Sequence, residues 1–152
     1  MFSQNTTSRV AIIIFFSLLF AFSNPVNIKK YFYLNLTKSV PRGFYRVVRQ
    51  QIKPGDLVVV NVPSCSNHLL KFVLATNGDQ ICNRQNRLVI KETINLFRSQ
   101  KTDLELYSMC RKLGEDEVFV GSHTMEDSFD SRYFGPVKKT NIITVVKPLW
   151  VF

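Results

Sequence analysis

The chain has 152 residues, 45% of them hydrophobic and 20% charged, which suits one modest core and excludes both a disordered polymer and two full domains. The formal net charge of +9 raises the question of a nucleic-acid partner. The basic residues are scattered (Lys29-Lys30, Arg42, Arg46, Arg49, Lys71, Arg84, Arg87, Lys138-Lys139), with no basic run interleaved with aromatics, so no nucleic acid is expected. A basic face lying near anionic lipid headgroups accounts for the same charge.

Val10 to Phe22 reads VAIIIFFSLLFAF, an uncharged run interrupted only by Ser17. With its mildly polar flank up to Val26 it approaches ~17 residues, the lower limit for a helix that crosses a bilayer. A secretory cleavage site needs small residues after the apolar core, and Phe20-Ala21-Phe22-Ser23-Asn24 fits that pattern poorly. The expectation is an uncleaved anchor: residues 1–26 form a cytoplasmic tip and membrane segment, and 27–152 a separate domain. Lysines on one side and Arg9 on the other leave the orientation undecided by charge.

Beyond the anchor, strands dominate. Lys53-Pro-Gly-Asp56 signals a turn before Leu57–Val60. Leu69–Ala75 is a second strand, ending in Thr76-Asn-Gly-Asp79, where Asn-Gly is a hairpin cue. Arg87–Lys91, Glu117–Gly121 and Ile142–Val146 complete the set, and residues 92–111 form a polar insertion, helical or looped. The fold class is mainly β. Of Cys65, Cys82 and Cys110, the preferred disulfide in an exported domain is Cys82 with Cys110, although three cysteines leave the pairing open. No metal ligand spacing accompanies His68 or His123, so neither a metal nor another cofactor is expected.

No Ser-His-Asp arrangement, phosphate loop or paired-carboxylate helix is evident. A serine nucleophile without histidine needs another base, and a lysine serves if burial lowers its pKa. Lys71, between Leu69-Leu70 and Phe72-Val73-Leu74, has that neighbourhood; an edge lysine that discourages strand aggregation is the plainer reading. Ser39 precedes Val40-Pro41-Arg42-Gly43 and suits either an exposed nucleophile or a turn. Asp130 and Arg132 look like a surface ion pair of little energetic weight. Asn35-Leu-Thr37 is formally a glycosylation sequon, and is discounted beside a candidate nucleophile in a chain read as bacterial.

Taken in order, the apolar segment, Ser39-x-Pro-x-Gly-x-Tyr45, the Pro-Gly-Asp turn, Lys71 with its following Gly78-Asp79, and Ser128-Phe-Asp-Ser-Arg-Tyr-Phe-Gly-Pro-Val137 resemble the type I signal peptidase superfamily. The segment NLTKSVPRGFYRV is similar to the conjugative-transfer branch, the TraF-like peptidases. The resemblance implies a β-rich catalytic domain in which Ser39 is the nucleophile and Lys71 its general base. It implies that the Thr37 hydroxyl assists the Ser39 N–H in an oxyanion hole, that Ser128 orients the lysine, and that Asp130 and Arg132 support the site. It further implies a precursor protein as partner, a pilin or other conjugation component, with the chain held by lipid of the bacterial inner membrane and its domain on the periplasmic side. Attack on the acyl-enzyme by water gives hydrolysis, and attack by an amine gives joining or cyclisation. Gly121-Ser-His-Thr124 stands where general signal peptidases carry Gly-Asp-Asn-Arg, and Val40 where they commonly carry Met, which favours a specialised enzyme. A general signal peptidase and a non-catalytic pilin-assembly component are the alternatives.

Overall fold

The computed structural model describes residues 4–22, 31–84, 87–100 and 102–152. It divides into Met1–Phe32 and Tyr33–Phe152. The first unit carries the helix α1 (Gln4–Phe22). Its Ser17 hydroxyl donates to the Ile14 carbonyl at 2.9 Å, so the one polar side chain in the apolar run is satisfied within the helix. Apolar side chains from Val10 to Phe20 are exposed around it. At 1.5 Å per residue the uncharged run Val10–Phe22 extends for roughly 20 Å, against ~30 Å of bilayer hydrocarbon. Among the described residues no helix is long and apolar enough to cross a membrane. Residues 23–26, which the sequence reading added to the anchor, lie outside the described residues.

The second unit is built on two sheets. The strands are β1 (Phe32–Asn35), β2 (Gly43–Val48), β3 (Leu57–Val60), β4 (Leu69–Ala75), β5 (Gln80–Arg84), β6 (Arg87–Ile90), β7 (Ile94–Phe97), β8 (Cys110–Lys112), β9 (Glu117–Gly121), β10 (Val137–Lys138) and β11 (Ile142–Val151). A single-turn helix α2 (Ser131–Phe134) precedes β10. The larger sheet has the order β1-β2-β11-β3-β4-β9-β10 and the smaller β7-β6-β5-β8. The final strand β11 thus inserts between β2 and β3, antiparallel to both.

β3 reads Leu-Val-Val-Val with every residue buried, the run of β-branched side chains that a strand covered on both faces requires. Alternation along it feeds two cores. Val58 and Val60 join Val73, Val118, Val120 and Val145 on one face. Leu57 and Val59 join Leu70, Val146, Tyr45 and Val40 on the other. Val40 is the residue after Ser39, so the segment between β1 and β2 is seated on the sheet by an apolar plug. A third cluster, around Ile81, Leu88, Ile90, Leu96 and Phe119, ties the smaller sheet to the ends of β4 and β9.

Three local expectations differ from the structure. The Asn77-Gly78 turn forms, with Gly78 at φ +80 and Asp79 accepting from the Thr76 N–H at 2.8 Å. It makes no hairpin, because β3 and β9 occupy both edges of β4 while β6 and β8 flank β5; the turn passes the chain from one sheet to the other. The stretch 92–111 carries strands β7 and β8 at its ends and irregular backbone between them, with no helix among its described residues. β11 runs past Val146 to Val151 and absorbs Pro148 beside a register irregularity between Pro148 and Trp150. The preferred disulfide Cys82–Cys110 is present, joining residues directly opposite in β5 and β8, and Cys65 is free.

Candidate active site

Lys71 does not lie at a sheet edge. β4 is flanked by β3 and β9, and Lys71 is 4% exposed, which overturns the plainer reading of it as an aggregation guard. Its Nζ reaches Ser39 Oγ at 2.9 Å and Ser128 Oγ at 2.8 Å, across sequence separations of 32 and 57. Ser39 is itself 7% exposed. Burial pulls the Lys71 pKa down to about 8; the Asp130 carboxylate counteracts that shift, the Arg132 guanidinium adds to it, and Cys65 opposes it slightly. As an ammonium, Nζ donates to both hydroxyls. As a neutral amine, present in about a tenth of molecules at pH 7, its lone pair is free to accept the Ser39 proton.

Asp130 and Arg132 are 0% and 2% exposed, so the expected surface pair is a buried hub. The reason is topological: Asp130 caps α2, and α2 is tied to β9 by the Val120 N–H, which donates to Ser131 Oγ at 3.0 Å. All five guanidinium N–H groups of Arg132 are used. Nε donates to Asp130 Oδ1 at 2.9 Å and Nη2 to Asp130 Oδ2 at 2.8 Å. Nη1 donates to the carbonyls of Phe97 and Glu126, each at 3.1 Å, and Nη2 to that of Met125 at 2.9 Å. The pair therefore fixes the backbone just before Ser128, and with it the hydroxyl that touches Lys71. Asp130 Oδ2 also accepts from the Ser122 N–H at 3.1 Å. At Gly121 a Cβ would stand 2.8 Å from Leu74 Cδ1 and 3.2 Å from Asp130 Oδ2, so the glycine permits the strand to pass this close to the hub.

The segment holding Ser39 is bent, and no hydrogen-bonded turn is assigned within residues 36–42. Its shape comes from Asn35, at the end of β1 and 2% exposed, a residue to which sequence reasoning gave no role of its own. Asn35 Oδ1 accepts from the Thr37 N–H at 3.1 Å and the Thr37 hydroxyl at 2.7 Å. Its Nδ2 donates to the carbonyls of Val40 (2.9 Å), Pro41 (3.1 Å) and Thr37 (3.2 Å). The Thr37 hydroxyl, expected to face an oxyanion, thus spends its proton inside the loop. The far end of the loop is held by the buried Tyr45, whose hydroxyl donates to the Pro41 carbonyl, and by the Phe152 N–H, which donates to the Arg42 carbonyl at 2.9 Å. Asparagine at a strand end followed by Thr is the only local signal that could have drawn attention to Asn35.

The structure thus brings Ser39, Lys71, Ser128, Asp130 and Arg132 together and leaves Thr37 turned toward Asn35. Among the described residues no group of three His, Cys, Asp or Glu side chains is placed to hold a metal ion. A cleft of about 410 Å³, lined by Gln100, Thr124, Met125, Glu126 and Asp127, opens along the loop that leads to Ser128. Chemically, a buried serine hydroxyl within reach of an amine of lowered basicity is a means of making an alkoxide nucleophile near neutral pH.

The sequence model of the family described as "Signal peptidase, peptidase S26" matches residues 4–151. A plasmid transfer protein TraF of Escherichia coli is 28% identical, covering 76% of this chain and 81% of its own. The conjugal transfer protein TraF of Agrobacterium fabrum is 26% identical over 78% of this chain and 82% of its own. Among solved structures, a signal peptidase I from Enterococcus faecalis is similar at a TM-score of 0.45 and 18% identity, covering 64% of this chain and 98% of that one.

Proposed function

Since the chain belongs to the signal peptidase family, peptidase S26, in the TraF-like branch, we propose that it is a Ser/Lys endopeptidase that processes a precursor protein of a conjugation or type IV secretion system, a pilin above all. The observation that carries this reading is the Lys71 amine at 2.9 Å from Ser39 Oγ, with Ser128 Oγ at 2.8 Å and water largely excluded. Ser39 Oγ attacks the scissile carbonyl carbon while its proton passes to Lys71 Nζ. The tetrahedral intermediate collapses, the C–N bond breaks, and Lys71 returns the proton to the departing amine. Water then attacks the ester carbon, its proton passing to Lys71 Nζ, and as the C–O bond to Ser39 breaks Lys71 returns that proton to Ser39 Oγ. An amine terminus of the substrate attacking in place of water yields a joined or cyclised product.

We also propose that the chain is anchored in the bacterial inner membrane through α1 and its sequence continuation to Val26, with the second unit on the periplasmic side. The exposed apolar residues of α1 support the anchor. The Cys82–Cys110 disulfide supports an oxidising compartment. On the second unit, exposed Phe44 stacks on Trp150 with ring centroids 6.1 Å apart, and the next pairs along the same two strands include Arg46 opposite Lys147. Aromatic rings beside paired cations suit a surface at the level of anionic headgroups.

The test is co-expression of the full chain with the pilin precursor, read by intact mass for wild type, Ser39→Ala and Lys71→Ala. The expected result is a shortened precursor with wild type and an intact one with both variants. A product lighter by one further water identifies cyclisation. Equal masses in all three arms overturn the reading for that substrate, and processing of unrelated secretory precursors points instead to a general signal peptidase.

A further inference from the structure

We propose that Asn35 is the positioning residue of the nucleophile, an inference that rests on Ser39 and Lys71 being the reacting pair. Residues 36–42 contain no assigned turn hydrogen bond to hold their own bends. The buried carboxamide of Asn35 supplies what the backbone lacks. Three carbonyls from Thr37 to Pro41 converge on Nδ2, and the Thr37 N–H and hydroxyl converge on Oδ1. Ser39 lies within this wrap, and its neighbour Val40 is pressed into the sheet core, so the two constraints together set where Ser39 Oγ stands relative to Lys71. Asn35 also governs Thr37. In this loop the Thr37 hydroxyl donates to Asn35 Oδ1 at 2.7 Å, so Thr37 acts as one strut of the wrap that Asn35 organises. Glutamine, one methylene longer, or aspartate, with no donor for the three carbonyls, cannot reproduce the arrangement.

The experiment compares full-chain wild type, Asn35→Ala, Thr37→Val, the double variant and Ser39→Ala on the same precursor. It records kcat and KM, the pH profile of kcat and the thermal midpoint. Displacing a nucleophile by about an ångström costs on the order of 100-fold in rate, so Asn35→Ala is expected to lower kcat about 100-fold. KM and the pH midpoint of the profile are expected to stay at wild-type values, because Asn35 contacts neither the cleft nor Lys71. The double variant is expected to be no worse than Asn35→Ala alone, since Thr37 acts through the residue already removed. Where the alanine variant does not fold, Asn35→Ser, which keeps a short polar group and loses the amide donors, takes its place with the same loss expected. A kcat within threefold of wild type overturns the inference. So does a double variant whose losses multiply, or a loss that merely follows the fraction unfolded. If instead Ser39→Ala still processes the precursor, the peptidase reading falls first, a result distinct from wild-type activity of the Asn35 variants.

Discussion

Replacing Lys71 with methionine removes the proposed base but also removes a buried cation, so the variant is expected to lose activity while becoming less pH-dependent in stability. The lysine titrates at about 8 in the folded chain against 10.5 in its ordinary state. Because the folded-state pKa lies below the unfolded one, the unfolded chain holds more protons between these values, and wild-type stability rises with pH across that window. At pH 7 the buried lysine costs the folded state about 3 kcal/mol relative to a neutral side chain, and at pH 10 about 1 kcal/mol. Wild type is therefore expected to gain roughly 2 kcal/mol on Lys71→Met between pH 7 and pH 10. The methionine variant also loses the contacts to Ser39 and Ser128, about 1 kcal/mol each, but that loss is constant with pH and leaves the slope intact. Other titrating groups are shared by the two chains and cancel in the difference. The assay is urea unfolding of both full-length chains in a mild detergent at pH 7, 8, 9 and 10, with equal m-values as the check on comparability. Parallel curves, with the difference constant to within about 0.5 kcal/mol, would refute a folded lysine of depressed pKa and with it the base assigned here. In the same window, wild-type kcat is expected to rise through a midpoint near pH 8 as Lys71 loses its proton.

The hub is tested by Asp130→Asn, which leaves the Arg132 guanidinium buried without a counter-charge and should cost about 3–5 kcal/mol in urea unfolding. Because the Asp130 carboxylate raises the Lys71 pKa, the same variant should move the midpoint of the pH–activity profile downward, and an upward move would contradict the assignment. Gly43→Ala places a Cβ 2.1 Å from the Trp150 carbonyl oxygen at φ +149, so it should destabilise by about 3 kcal/mol, whereas Gly55→Ala, at φ +90 with open space around it, should cost about 1 kcal/mol; equal thermal midpoints for the two would refute the close β2–β11 approach as the cause. Reducing Cys82–Cys110, which closes a separation of 28 residues, should lower stability by about 3–4 kcal/mol, and an unchanged urea midpoint would show that the bridge adds nothing.

Much of this protein was legible residue by residue, because the causes are local. The β-branched run of β3 and the apolar β4 make strands wherever they are placed, and the spaced motifs around Ser39, Lys71 and Ser128 named the family before any contact was known. What the local sequence could not carry was burial and partnership. Lys71 reads as an edge lysine until β3 and β9 enclose β4, and burial is the largest cause of its lowered basicity. Asp130 and Arg132, two residues apart, look like a solvated pair until α2 docks on β9 and four carbonyl and carboxylate groups surround the guanidinium. Thr76–Asp79 carries a hairpin signal, yet the strands on either side find other partners, since pairing depends on which edges the rest of the chain leaves open. Asn35 was hidden most completely. Its five hydrogen bonds go to a segment whose bends exist only in the folded molecule, so a residue that composition makes ordinary becomes, through tertiary structure, the one that shapes the nucleophile loop.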